Sequence, residues 1–255
     1  VSAVVVVAII GFLGYFSLPL LHAGALSTLM SWRWEPTTGH FGILAMLCGT
    51  LFTALPALAL AFPLAIGVVA LANGLAPRPL AKPLLMLVQF MTSIPTVAWA
   101  FVSAFLVVPE IRTLTDSSGY CWLAVVLTLA ILVLPTIVLV LCAPLRQLPE
   151  SLHPTACALG FDRAQYLLYV AFPQIRASFL AALALGCGRA IGDTLIALMV
   201  SGNAPIVPHL PTDSLRTLTA HIALVLATDS QSSAYASLFA AGLLLCLVVI
   251  TLNLG

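Results

Sequence analysis

The sequence predicts an all-α, polytopic membrane helix bundle with six transmembrane helices. Three observations carry that reading. Hydrophobic residues make up 62% of the 255-residue chain and charged residues only 7%, against roughly 25% charged in an ordinary soluble domain. Six stretches, Val1–Trp32, Pro36–Pro77, Pro83–Pro109, Ser117–Leu145, Ala177–Thr212 and Ser230–Gly255, hold no charge or almost none, and each exceeds the ~20 residues that cross a hydrocarbon core. No ten-residue alternation of apolar and polar residues appears, so spans that must satisfy their own backbone inside lipid are helices rather than barrel strands. The formal net charge of +1 supplies no field for nucleic acid, and that partner class is set aside.

The spans follow in order. Val1–His22 is too long for a signal peptide and lacks its basic leader, so it is the first span. The chain opens on Val and is read as a fragment of a longer polypeptide. Trp32 and Trp34 fit an aromatic belt at the membrane edge. In the second span Pro56 and Pro63 are read as kinks. The third contains Met91-Thr92-Ser93-Ile94-Pro95-Thr96. Pro95 has no N–H and disfavours helix at Ile94. Two readings stand: the freed backbone and the hydroxyls of Thr92, Ser93 and Thr96 face a cavity, or the proline is an ordinary kink and the hydroxyls bond back to their own helix. Pro135-Thr136 in the fourth span invites the same argument more weakly. Glu110, Arg112 and Asp116 fit a solvated turn, and His22, His40, His209 and His221 fall near membrane edges. The six cysteines are scattered, with no ligand spacing, so we expect neither a disulfide framework nor a metal site.

Basic residues orient the bundle. The second and fourth connections carry Arg78, Lys82, Arg146, Arg163 and Arg176; the other three carry Arg33, Arg112 and Arg216. The positive-inside rule puts connections two and four, and both ends of the chain, in the cytoplasm. Connection four reads as a short helix, a break at Gly160 and a second helix ending near Pro173. It is either a loop at the lipid interface or a docking element for a cytoplasmic partner. Connection five, about residues 203–231, holds Pro205, Pro208 and Pro211 and then an apolar helix too short to span. It is read as an outer interfacial segment.

Arg189 and Asp193 are the only charged residues between Ala177 and Thr212. A charge near the bilayer midplane costs ~2.5–3.5 kcal/mol on insertion scales and is therefore usually paired and often functional. The i, i+4 spacing puts both on one helix face, where the pair can satisfy itself. Counting from Arg176 at about 1.5 Å per residue, Arg189 lies about 20 Å along the span, in its outer half. Two readings remain: a guanidinium that lines a path and forks onto an oxyanion, with Asp193 holding it when the site is empty, or a structural ion pair between helices.

Connection four resembles the cytoplasmic signature of the membrane subunits of bacterial ATP-binding-cassette importers, E-A-A, three residues, Gly, nine residues, I-x-L-P. Thr155 and Ala156 stand at the Ala-Ala positions, Gly160 at the Gly, Val170 at the Ile, Phe172 at the Leu and Pro173 at the Pro, while Pro154 replaces the Glu. More of the chain, roughly Trp34 to the C-terminus, resembles the phosphate-specific transport permeases. The carrying segments are Gly49-Thr50-Leu51 and the P-L-A-I-G close of the second span, Ser93–Phe101 in the third, and Gly188-Arg189-Ala190-Ile191-Gly192-Asp193-Thr194 through Gly202-Asn203. Asp193 stands where that family usually carries Glu.

The resemblance implies a type I importer architecture in one permease domain, residues 1–255, in a bacterial inner membrane. It implies a homologous permease partner, two ATP-binding subunits and an external phosphate-binding protein. It makes residues about 146–173 a coupling-helix loop, with Pro154, Thr155, Ala156, Gly160, Phe161, Asp162, Arg163, Val170 and Pro173 at the ATPase contact. It makes Arg189, Asp193, Thr92, Ser93 and Thr96 the substrate path. The chain has no G-x-x-x-x-G-K-[ST] loop, so we expect no cofactor on this chain, with ATP and Mg on the partner ATPase. Competing readings are a permease for molybdate, tungstate, sulfate or phosphonate, an ATP-independent carrier or channel, and, more weakly, a membrane-embedded enzyme.

Overall fold

A computed structural model describes residues 2–22, 29–35, 38–228 and 233–254. Val1 of the first span, the 23–28 part of the first charge-poor stretch, Pro36 and Thr37 at the start of the second, residues 229–231 of the outer segment, and residues 230–232 and Gly255 of the sixth stretch lie outside them. The fold is an all-α polytopic membrane bundle. Helix α1 (Ser2–His22) is followed by a minimal antiparallel ladder, β1 (Trp34–Glu35) on β2 (His40–Phe41), pairing Trp34 with Phe41 and Glu35 with His40. Then come α2 (Leu44–Leu75), α3 (Arg78–Ser93), α4 (Thr96–Leu114), α5 (Trp122–Leu145), the short α6 (Leu152–Ala158), α7 (Arg163–Gln174), α8 (Arg176–Gly192), α9 (Leu195–Val200), α10 (Leu218–Thr228) and α11 (Ser233–Leu254). Among the described residues, α2, α4 and α5 are each long and apolar enough to cross a membrane, and α7 and α8, joined across a 75° bend, reach that length only together. Helices α1 and α11 are apolar, 21 and 22 residues long, and pack on one another through Phe12, Phe16 and Phe239.

The core is the seam between α2 and α5, closed by α8. On α2 the buried residues Ala54, Ala57, Leu58, Ala61, Ala65 and Val69 recur at helical spacing, the stripe that turns one face inward. Most are alanine, so the backbones approach closely, as packing without a strong solvent drive requires. Val125, Leu129, Val133, Ile137 and Leu141 of α5 fill the other side. Gly186 of α8 sits where the three helices cross: a Cβ there would lie 3.0 Å from Leu58, 3.1 Å from Val133 and 3.2 Å from Ile137.

The prolines do different things. Pro56 and Pro63 lie inside a continuous α2. Pro56 lacks an N–H, which leaves the Phe52 carbonyl without its helical donor; the indole Nε1–H of Trp122 donates to that oxygen at 2.6 Å. Pro135 is likewise carried inside an unbroken α5. Pro109 and Pro173 each follow a π-helical turn, Ser103–Val107 and Tyr166–Ala171. Widening the helix there relieves the clash between a proline ring and the carbonyl four residues back.

Two predicted span limits move. Pro95 ends a helix outright: Ile94 and Pro95 are extended, with ψ of 125° and 143°. The third span is therefore α4, Thr96–Leu114, rather than Pro83–Pro109, and residues 83–93 belong to the separate α3. The fifth predicted stretch is also interrupted, at Asp193-Thr194, between α8 and α9.

Candidate functional site

The site forms where these two helix breaks meet. Arg189 lies in the last turn of α8. Gly192, a poor helix former, is followed by Asp193 in extended conformation (φ −73°, ψ 123°). The Asp193 carboxylate accepts the amide of Ile196 at 2.8 Å, which caps α9. A short acidic side chain that bonds to nearby backbone competes with continuation of the helix. The Asp193 carbonyl, released from the helical ladder, accepts the hydroxyl of Thr219 at 3.0 Å.

The predicted Arg189–Asp193 pair is therefore corrected. The i, i+4 geometry needs a helix through both residues, and the helix ends between them. No ion pair within 4 Å joins them among the described residues. They are nonetheless in one place: Arg189, Asp193, Gly188, Gly192, Leu132 and Thr96 line a cavity of about 270 Å³. Arg189 is exposed on the isolated chain. A guanidinium at this depth does not face lipid without a large cost, so this face meets water or another protein.

Of the three hydroxyl residues predicted in the third span, Thr96, the first residue of α4, reaches this cavity. Thr92 donates to Gln89 O at 2.7 Å, back into its own helix, and neither it nor Ser93 borders the cavity. Both readings of the proline thus hold in part: it breaks the helix and opens a cavity edge at Thr96, while Thr92 behaves as in an ordinary helix end.

The connection-four residues form a second surface at the other end of α8. Helix α6 ends in a Schellman turn: Phe161 N–H donates to Ala156 O and Gly160 N–H to Cys157 O. Gly160 takes φ +86°, a left-handed conformation that favours glycine at this position. Pro154 sits in the first turn of α6, where a missing N–H costs little. Asp162 caps α7 in a reciprocal box with Gln165, at 2.7 and 2.9 Å. Its carboxylate is used as a cap rather than in a pair with Arg163. Thr155 donates to Ser151 O, Ala156 is buried, and Pro154, Thr155, Gly160, Asp162, Arg163 and Pro173 are exposed, with Phe161 and Val170 half-buried. Leu159 (74%), Leu168 (59%) and Tyr169 (69%) present apolar surface beside these groups. A cavity of about 700 Å³ opens between this loop and the end of α2, lined by Asn73, Gly74, Pro77, His153, Arg163 and Tyr166 among others.

A model of the binding-protein-dependent transport system inner membrane component family matches residues 66–254. The chain belongs to this family. It is the membrane permease subunit of an ATP-binding-cassette importer, an integral inner-membrane protein that works with ATPase and binding-protein partners and is a transport component, not itself catalytic. The carrier, channel and embedded-enzyme readings are set aside. The permease is similar to the probable ABC transporter permease protein YqgH of Bacillus subtilis, 29% identical over 226 residues that cover 88% of this chain and 73% of that protein. It is similar to the phosphate transport system permease protein PstC of Mesorhizobium japonicum, 28% identical over 243 residues, 87% of this chain and 74% of the relative. A probable PstC of Methanocaldococcus jannaschii is 28% identical over 219 residues, 78% and 69% of the two chains.

Sequence reasoning missed a third group. His221 is fully buried, neither ring nitrogen has a hydrogen-bond partner among the described residues, and its ring makes a T-shaped contact with Trp34, centroids 4.1 Å apart. The first turn of α10 is inside the bundle, with Leu218, Ala220 and His221 all 0% exposed. The signal was the pair Thr217/Thr219 at the start of an apolar run: the Thr219 hydroxyl finds the Asp193 carbonyl 26 residues away, and the Thr217 hydroxyl bonds Thr219 and accepts the Ala220 amide.

Proposed function

We propose that this permease moves inorganic phosphate inward by alternating access. The observation that carries the reading is Arg189: an exposed guanidinium without an ion-pair partner among the described residues, at a helix break inside a span, sharing a cavity with Thr96 and Asp193. Guanidinium forks onto two oxygens of a tetrahedral oxyanion. A cavity open on the isolated chain suits a path completed by a homologous permease subunit facing it. The PstC names of several relatives favour phosphate over molybdate, tungstate, sulfate or phosphonate.

In this reading residues 146–173 form the coupling loop seated on one of two ATP-binding subunits, which hold ATP and Mg. An external phosphate-binding protein delivers the anion to the opposite face, and both ends of the chain lie in the cytoplasm. Asp193 keeps the site weak, as passage requires, by setting a carboxylate beside the anion's position.

The test is uptake by the assembled transporter in cells without another phosphate importer. Arg189→Gln, with ATPase subunits still co-purifying, is expected to lower uptake by about 10- to 100-fold, the value of a hydrogen bond to a charged group at about 1.5–3 kcal/mol. Undiminished uptake removes Arg189 from the path. Competition by excess molybdate or sulfate as strong as by phosphate moves the cargo to another oxyanion.

A further inference from the structure

Two motifs singled out in the sequence, Gly49-Thr50 and Gly202-Asn203, have no part in the site above. In the structure both close on the same five residues, Leu215–Thr219. A Cβ on Gly49 would collide with the carbonyl of Arg216. The hydroxyl of Thr50 accepts the amide of Leu218 at 2.9 Å, across 168 positions of sequence. Gly202 (φ +77°) and Asn203 (φ +55°) are both left-handed, a conformation that costs a non-glycine residue and is retained where the surroundings over-determine it. Here Asn203 is held by its own amide, which donates to Leu198 O at 2.6 Å. Its carbonyl is thereby aimed at Arg216, whose Nε–H donates to it at 2.8 Å. Leu215 N–H on Ser201 O completes the clasp.

So much fixed backbone holds one half-buried guanidinium. Of its five N–H donors, only the Nε–H has an acceptor among the described residues, and no carboxylate lies within ion-pair distance of it among them. The unused edge, Nη1 and Nη2, is the fork that matches an oxyanion. Tying down the loop needs the Nε–H alone. A partly desolvated, unneutralised cation is otherwise an expense with nothing to offset it. The position is also connected to the Arg189 cavity: Thr219, three residues on, bonds the carbonyl of Asp193 and pairs with the hydroxyl of Thr217 at 3.0 Å.

We propose that Arg216 is a second oxyanion-binding residue of the translocation path, offering its Nη1/Nη2 edge to the anion, with the Asp193–Thr219 bond linking its segment to the Arg189 cavity. The anion meets Arg216 first and Arg189 next, two weak sites in series that favour entry without stopping release. The inference rests on the oxyanion-permease reading and adds a residue to it.

The experiment is charge rescue in the whole transporter, with permease pair, ATPase subunits and binding protein. Arg216→Cys, still co-purifying with the ATPase subunits, is expected to take up phosphate about tenfold more slowly. Treatment with 2-aminoethyl methanethiosulfonate, which attaches a cation, restores uptake several-fold. The neutral methyl reagent and the anionic sulfonatoethyl reagent do not, each measured against the unmutated transporter treated alike, since it carries six cysteines of its own. Uptake by Arg216→Cys equal to that of the unmutated protein, or rescue by the neutral reagent as good as by the cation, overturns the proposal. Should Arg216→Cys fail to assemble, Arg216→Lys and Arg216→Gln carry the test: uptake kept by Lys and lost by Gln supports it, and equal uptake overturns it. If Arg189→Gln transports normally while rescue at position 216 depends on charge, the Arg189 reading fails and this one stands; the converse pattern separates them the other way.

Discussion

The two ends of α8 are built on opposite plans. At its start, Ile175 breaks the chain into a 75° bend, and what precedes the bend is a pair of short helices from which Leu159, Leu168 and Tyr169 stand out in the isolated subunit. At its finish, Asp193 is tied twice, by its carboxylate to α9 and by its carbonyl to α10. One end presents apolar surface; the other is held by hydrogen bonds close to a charge. Exposure therefore means different things along one span: in the proposed reading Leu159 is exposed for an ATPase subunit, whereas Arg189 is exposed for a passing oxyanion.

The comparison breaks most visibly at the first end. Leu159, the site of Leu159→Glu, is 74% exposed, and a Cβ on neighbouring Gly160 would meet nothing within 4 Å. The variant's stability is expected to stay within about 0.5 kcal/mol, as for other surface changes. Retention of the ATPase subunits on the solubilised permease is expected to be lost. Full retention would mean that this surface is not the docking end.

At the second end the expected effects are smaller and fall on stability. Asp193→Ala removes a cap and is expected to cost about 1 kcal/mol, while Asp193→Asn, an equally good cap, stays within a few tenths. Thermal unfolding in detergent measures both. Equal losses would show that charge, and not capping, is what the structure needs there.

The smallest effect sharpens the boundary of the tied region. Asp213 accepts the amides of Leu210 and His209, both at 2.8 Å, and these hold its carboxyl below the usual carboxylate range. A carboxyl lowered in the folded state contributes stability that is fully present above its unfolded value, about 3.9, and is lost as pH falls through the lower folded one. Protection of the His209 and Leu210 amides from hydrogen exchange, relative to the intrinsic rate at each pH, is therefore expected to fall on acidification below about pH 4, with that of the helical core unchanged. Protection that stays constant with pH would detach Asp213 from the loop's order.

Much of this was legible in the chain. Charge-free length and composition give the helical membrane class, and the Gly160–Pro173 spacing locates two short helices and the turn between them. Local chemistry sufficed because a left-handed glycine and a capping aspartate act within four residues. The break at Asp193 was not legible: an i, i+4 charge pair in an apolar run reads as continuous helix, and what ends it is a side-chain cap together with a carbonyl bond to Thr219. Nor was the clasp around Arg216, whose parts lie at positions 49, 50, 202 and 203. Single-chain periodicity carries no information about contacts 168 residues apart. The burial of His221 against Trp34 was hidden for the same reason, since the two lie far apart in the chain.

Gly186 has a mechanical consequence. The three-helix crossing brings α8 so close there that a Cβ would press on side chains of both neighbours. The rod extends ten residues from Gly186 back to Arg176, about 15 Å, and three residues forward to Arg189, about 4.5 Å at 1.5 Å per residue. A rigid rod pivoted off-centre is a lever with unequal arms. If α8 turns about that crossing as one rod, a displacement delivered at the bend arrives at the guanidinium reversed in direction and reduced to about a third.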